Sequence, residues 1–211
     1  MRGIIVVPFK EHSERVLGKN FVEYKGKPLY RHMLDTLSKM DMPVSVDTES
    51  DKVKEIVQRE YPHYQIHDRP PEFSENWANG NHILTQFVYD NLDYDFYVQA
   101  FLTAPQLSKS TITGAINQFI MSYPKYDSLF TVTKETGLYW FNDSPVNHIT
   151  HSQSGLPRTQ DAPIMKETTG LYIISKPAIL ENGCRIGKSP YFFEVDSEEA
   201  VDIDTYSDLK C

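Results

Sequence analysis

The chain alternates short apolar runs with longer segments whose apolar residues recur at helical spacing. Gly3 to Phe9 is continuous and β-branched, the pattern of a strand covered on both faces. Pro28 suits a first helical position, and Leu29, Met33, Leu34 and Leu37 then form one apolar stripe. A strand over Pro43 to Val46, a helix over Asp51 to Glu60 and a short strand from Tyr64 to His67 follow. Arg69-Pro70-Pro71 enforces an extended loop. Asn81 to Asn91 predicts a helix, Phe96 to Leu102 a strand, and Ser108 caps a helix through about Met121. Asp127 to Thr133, Leu171 to Ser175 and Tyr191 to Val195 read as further strands. Between them, Leu138 to Met165 breaks the pattern with Pro, His, Asn and Gly, as an insertion or arm would.

This alternation predicts an α/β fold: a mostly parallel sheet with helices on both faces, forming three α/β/α layers in one domain over residues 1–211. In such sheets, ligands bind outside the carboxyl ends of the strands. The composition agrees with a globular enzyme-sized chain: 13 Tyr, 11 Phe and 2 Trp, with no polar tract or repeat. No apolar run approaches the ~20 residues that span a bilayer, and the N-terminus lacks a cationic lead before an apolar core. The expected location is the cytoplasm, without a membrane partner. Two cysteines, Cys184 and Cys211, exclude a disulfide framework or a cysteine metal site. A net charge of −8 excludes a general nucleic-acid binder, so an anionic ligand must be held by a few local bases.

Three segments carry candidate chemistry. "VVPFKEHSERVLGKNF" joins the first strand to a loop with Lys10, Arg15 and Lys19, where backbone N–H groups and cations can surround phosphates. It has neither a Walker nor a dinucleotide-binding pattern, and two acids, Glu11 and Glu14, also allow a merely solvated, mixed-charge loop. Asp202-Ile203-Asp204 puts two carboxylates on one face if extended, as Mg²⁺ beside a triphosphate requires. Its other reading is an exposed acidic turn or a helix cap at Asp204-Thr205. Arg69, in its proline-stiffened arm, serves either a base or phosphate or the loop itself. His148 and His151 read as loop residues, since the histidines lack metal spacing and no serine sits in a nucleophile elbow.

Taken together, "VPFKEHSERVLGKNFVEYKGKPLYRHMLDTL", "RPPEF", "TAPQLSKSTI", "DSLFTVT", "RTQDAP", "TGLYIIS", "RIGKSPYFFEV" and "DIDTYSDL" occur in the order found in the acylneuraminate cytidylyltransferases, and the chain resembles that family over nearly its whole length. The resemblance implies a Rossmann-like nucleotidyltransferase fold and an enzyme that transfers CMP from CTP to a sugar acid, releasing pyrophosphate, with Mg²⁺. It assigns Lys10, Ser13 and Lys19 to the phosphates and Asn20 and Arg69 to the cytidine. Asp202 and Asp204 fall to the metal, and Arg158 and Gln160 to the sugar acid. It also implies a homodimer in which an arm, here 138–165, closes the partner's site. Tyr139, Trp140 and Phe141 suit either that arm or the core.

The departures from the family lie mostly on the acceptor side. Glu14 replaces a lysine in the phosphate loop, with Arg15 placed to compensate. Phe101 stands where the family has a substrate-contacting glutamine; Gln99, its candidate replacement, lies two residues earlier, about 7 Å along the strand. Thr169 replaces a frequent asparagine. Other acceptors (a sugar phosphate, an octulosonate or a phosphonate) therefore remain open, as do a glycosyltransferase of similar fold and a nucleotide-binding protein without turnover.

Overall fold

The computed structural model describes residues 1–13, 16–75, 77–150 and 156–210. Glu14, Arg15, His151 and Cys211 lie outside the described residues. The strands are β1 (Gly3–Pro8), β2 (Glu23–Tyr24), β3 (Lys27–Pro28), β4 (Val44–Thr48), β5 (Gln65–Asp68), β6 (Phe96–Ala100), β7 (Ser128–Thr136), β8 (Trp140–Phe141), β9 (Ser144–Pro145), β10 (Pro163–Ser175) and β11 (Pro190–Glu194). The helices are α1 (Leu29–Leu37), α2 (Asp51–Glu60), α3 (Gly80–Asp90), α4 (Lys109–Ser122) and α5 (Lys176–Asn182).

A seven-stranded sheet runs in the order β11-β7-β10-β6-β1-β4-β5. β1 pairs in parallel with β4 and β6, β4 with β5, and β7 with β11; β10 alone runs antiparallel, between β6 and β7. The chain leaves β1 toward β4 on one side and later adds β6 on the other. The crevice beyond the carboxyl ends of β1 and β6 is thus the switch point at which such sheets bind ligands.

The continuous apolar run of β1 is explained by its two covers. Ile4 and Val6 pack with Tyr97 and Ile174 beneath α3 and α5. Ile5 and Val7 face the larger core, which contains Met33, Leu34 and Leu37 of α1, Val53 and Val57 of α2, and Ile112 and Phe119 of α4. Each side chain so buried contributes roughly 1.5–3 kcal/mol, enough to override the ambiguity of a short apolar run. The helix starts follow local chemistry. Ser50 and Ser108 accept from the N–H groups of Val53 and Thr111, and Asn79 closes a capping box with His82.

Two expectations change. Lys176–Asn182 forms a helix that its short pattern did not announce; Ser175 caps it by accepting from Ala178 N, and Gly183 ends it with φ 61°. β10 begins at Pro163 rather than Leu171, because Pro163–Glu167 zip onto the extended end of β7 at Thr136–Val132. Within the 138–165 segment, Pro163–Met165 thus extend the β7–β10 ladder, and β8 and β9 form a hairpin. Trp140 and Phe141 are exposed on it, so they are not core residues in this chain. A bulge between Glu167 and Tyr172 interrupts β10, and it delivers Thr168 to Gly170 to the switch-point crevice, where Phe101 N donates to Gly170 O.

Candidate active site

The loop after β1 is shaped by a left-handed residue that only glycine adopts without strain. Gly18 has φ 61° and opens a tight 3-10 turn, Lys19–Phe21, in which Phe21 N donates to Gly18 O at 2.8 Å. The turn buries Lys19 and Asn20. Asn20 Nδ2 donates to Lys10 O at 2.8 Å, tying the two ends of the loop together, and Lys10 Nζ donates to Ser74 O at 3.2 Å. Glu11 turns away: Ser50 Oγ donates to it at 2.6 Å and Lys52 Nζ lies 3.2 Å off. The Ser50 hydrogen bond, aided by Lys52, holds the Glu11 carboxyl below its usual range. This acid is thus spent on the start of α2 and does not oppose an anion at the loop.

The C-terminal acids reach the same place from the other end of the chain. Ile203 is fully buried against Tyr24 and Leu29, and its N–H donates to Thr103 O at 2.8 Å, beyond β6. With Ile203 turned inward, Asp202 and Asp204 remain partly exposed on either side of it. Lys19 Nζ donates to Asp204 Oδ1 at 3.0 Å. Thr169 Oγ1 donates to Asp202 Oδ2 at 2.7 Å, from a backbone at φ 57°. Asp208, at the start of the final turn, accepts from the Thr205 hydroxyl and from the N–H groups of Thr205 and Asp204, and those bonds hold its carboxyl low.

Two cavities adjoin these segments. A cleft of about 240 Å³ is lined by Lys10, Ser13, Lys19 and Asn20 on one side and by Gly80, Phe101 and Thr103 among others on the opposite side. A larger hollow of about 690 Å³ lies beside it, with Glu167, Thr169, Asp196 and Asp202 in its wall. Through Asp202 and through the Lys19–Asp204 pair, the acidic segment borders both.

Of the residues singled out from sequence, Lys10, Ser13, Lys19, Asn20, Asp202 and Asp204 are brought together; four others are not. Arg69 is 2% exposed and faces β4: Nε donates to Asp47 Oδ2 at 2.7 Å, Nη2 to Asp47 O at 2.5 Å and Nη1 to Glu49 Oε2 at 3.1 Å. Its guanidinium is committed to that acidic strand end, so the geometry gives it a structural task in place of contact with a base. Gln99 is fully buried, its Nε2 donating to Gly80 O at 3.0 Å, and it lines neither cavity. It sits one pleat too deep in β6, and Phe101 occupies the lining position. Arg158 is exposed on the arm and bonds Asp161 at 2.6 Å; Gln160 is exposed beside it. Neither lines either of the two cavities described. Arg15 is outside the described residues.

The structure adds a residue the sequence did not mark. Arg185 lies over the Tyr172 ring at 3.8 Å and donates from Nη2 to Tyr172 Oη at 3.0 Å. Tyr172 in turn donates to Glu167, and burial together with that bond raises the phenol's pKa. No spacing rule joins 167, 172 and 185; only the bulge in β10 and the turn after α5 do so.

A family model described as cytidylyltransferase matches residues 4–210. The chain belongs to the cytidylyltransferase family. Within it, the chain is 22% identical over 223 residues to the N-acylneuraminate cytidylyltransferase of Streptococcus agalactiae serotype V, a match covering 99% of this chain and 52% of that protein. It thus spans about half the length of that relative. A pseudaminic acid cytidylyltransferase of Campylobacter jejuni serotype O:2 is 23% identical over 221 residues, with 100% of this chain and 94% of that one covered. The solved CMP:2-keto-3-deoxy-manno-octonic acid synthetase complexed with CTP superposes with a TM-score of 0.70 at 15% identity, covering 100% of this chain and 96% of the other. At that identity, the likeness carries the fold alone. No helix among the described residues is long and apolar enough to cross a membrane.

Proposed function

We propose that this cytidylyltransferase-family chain transfers CMP from CTP to a sugar acid and releases pyrophosphate. The observation that carries the reading is the meeting of Lys19 and Asp204, a buried cation and a carboxylate 3.0 Å apart, at the switch-point cleft. A triphosphate needs both: cations for its oxygens and a carboxylate for the metal that accompanies it.

In this reading Lys10, Ser13 and Lys19 neutralise and orient the phosphates, and Asn20 holds the loop closed under them. Asp202 and Asp204 offer an all-oxygen donor set that suits Mg²⁺, and the Lys19 ammonium on Asp204 already marks that carboxylate as a cation partner. Among the described residues no group of three or more His, Cys, Asp or Glu is arranged around a metal position, so two protein ligands with phosphate and water would complete the shell. When bound, the metal would supply Lewis-acid stabilisation of charge on the phosphate oxygens. The acceptor's hydroxyl, held in the larger hollow, loses its proton to solvent and forms the new O–P bond at the α-phosphorus as the α–β bridging bond breaks and pyrophosphate leaves. No covalent enzyme nucleophile is required; the residues act by positioning and charge.

We further propose that the arm pairs with that of a second copy, covering Trp140 and Phe141 and carrying Arg158 and Gln160 toward the partner's hollow. The expected compartment is the cytoplasm, where CTP is made available. The test is pyrophosphate release with each of the four NTPs and Mg²⁺ against N-acetylneuraminate, pseudaminate, 3-deoxy-manno-octulosonate, sugar phosphates and phosphonates. Release specific to CTP and to one class of acid supports the reading. Release with another nucleotide or only with sugar phosphates defeats it.

A further inference from the structure

Arg185 is a mostly buried cation that lines neither cavity itself but packs against residues that do, Gly80 and Phe101 of the cleft and Glu167 of the larger hollow. Its side chain is 20% exposed, its plane is fixed over Tyr172 at 3.8 Å, and the Phe101 ring lies 5.4 Å from it. Its backbone N–H donates to Asn81 Oδ1 at 3.2 Å, anchoring the turn to the start of α3. Gly80 makes room for the head group: a Cβ there would overlap Nη1 of Arg185. Gly80 and Phe101 both line the nucleotide cleft, while Glu167, on the other side of the guanidinium, lines the larger hollow.

The charge on this guanidinium is incompletely answered. The carboxylate facing it, Glu167, stands 3.9 Å away, beyond hydrogen-bond reach, and is already bonded by the Tyr172 hydroxyl. Among the described residues, Nε and Nη1 donate no hydrogen bond. A planar fork stacked on an aromatic ring, with donors to spare and little water around it, is suited to a carboxylate, which it can grip through two parallel bonds. Resting on the proposed reaction, we propose that Arg185 binds the carboxylate of the acceptor acid. In a 2-keto sugar acid that carboxylate is bonded to the anomeric carbon, so holding it also fixes the hydroxyl that attacks the α-phosphorus. Arg185 is therefore a specificity-determining residue, and the acceptors it favours are acids in which the carboxylate adjoins the reacting hydroxyl.

The experiment compares wild type with Arg185→Met and Arg185→Lys, using N-acetylneuraminate, 3-deoxy-manno-octulosonate and the carboxamide of the better of the two. A charge-assisted hydrogen-bond pair of about 1.5–3 kcal/mol corresponds to roughly 10- to 150-fold. Arg185→Met is expected to raise the KM for the acid by that factor, leave the KM for CTP within about twofold, and erase the preference for acid over carboxamide. Arg185→Lys keeps charge without the fork and is expected to fall between. An unchanged acid KM, or equal losses for acid and carboxamide, overturns the proposal in favour of a packing role. If Arg185→Met does not fold, the same acid-to-carboxamide ratio in Arg185→Lys decides. Calorimetric binding of the acid in the presence of CTP tests Arg185 without turnover; wild type that binds both ligands yet releases no pyrophosphate removes the functional reading instead.

Discussion

Lys19 and Asp204 are separated by 185 positions, yet Nζ and Oδ1 stand 3.0 Å apart at the carboxyl ends of β1 and β6. The pair is unequal in exposure, with the lysine side chain 11% accessible and the aspartate 34%. Asp204 is thus the more solvent-accessible member of the pair, and Lys19, which lines the cleft, the more buried one. An incoming triphosphate can exchange for the carboxylate on Lys19, freeing Asp204 for a metal.

The first prediction follows from that exchange. Asp204→Ala should abolish pyrophosphate release with only a modest loss of melting temperature, because the aspartate is partly solvated and its pairing contributes little to stability. Lys19→Met should lower kcat/KM by about 10²-fold or more, the usual scale for losing a charge-directed donor. Wild-type rates in Asp204→Ala, measured at saturating CTP and Mg²⁺, would remove the metal assignment.

Thr169 provides the second. A β-branched residue at φ 57° costs roughly 1–2 kcal/mol, and it persists here inside the β10 bulge with its hydroxyl on Asp202. Thr169→Gly should raise thermal stability by relieving that strain while increasing the Mg²⁺ concentration needed for half-maximal rate. Thr169→Asn, which tolerates the left-handed region and keeps a donor, should gain stability and retain the wild-type metal requirement. A melting temperature that falls in both variants would show that the backbone there is not strained.

The third concerns Arg69, whose guanidinium and its Asp47 partner are each 1% exposed. Arg69→Met leaves the Asp47 carboxylate buried without its main cation, and the expected destabilisation is about 3–5 kcal/mol by urea unfolding. Adding Asp47→Asn should recover part of that loss. If Arg69→Met instead kept full stability and lost CTP affinity, the residue would belong to the nucleotide site after all.

His67 gives a pH dependence in the same network. Burial disfavours its charge, but the carboxylates of Asp47 at 2.6 Å and Asp90 at 3.0 Å outweigh that and raise its pKa. The resulting stabilisation is complete below the ordinary imidazole value of about 6.5 and is lost as pH rises through the higher folded value. The stability gap between wild type and His67→Gln, followed by urea unfolding from pH 5.5 to 9, should therefore narrow toward alkaline pH. A gap that widens with pH would reverse the sign of the linkage.

Much of the molecule was determined by local pattern. The apolar run of β1, the stripe of α1 and the cap at Ser108 are set by residues a few positions apart, so the sequence by itself announces them. The same holds for the Gly18-Lys19-Asn20 turn and for the alternation that turns Ile203 inward between two aspartates. Local pattern also marked Lys10, Lys19, Asp202 and Asp204, and the family resemblance added Ser13 and Asn20. The tertiary structure decided what depends on partners distant in sequence. Arg69 looked available in a proline loop, but burial beside β4 placed it on Asp47 and Glu49, because a guanidinium removed from water must find carboxylates. Gln99 was within reach by counting residues, yet the pleat of a central strand set it one layer below the cleft. The antiparallel insertion of β10, its bulge at Thr169 and the stacking of Arg185 on Tyr172 have no local signature. They arise only when three separate segments pack together, and that packing makes the surroundings of Arg185, which we propose for the acceptor.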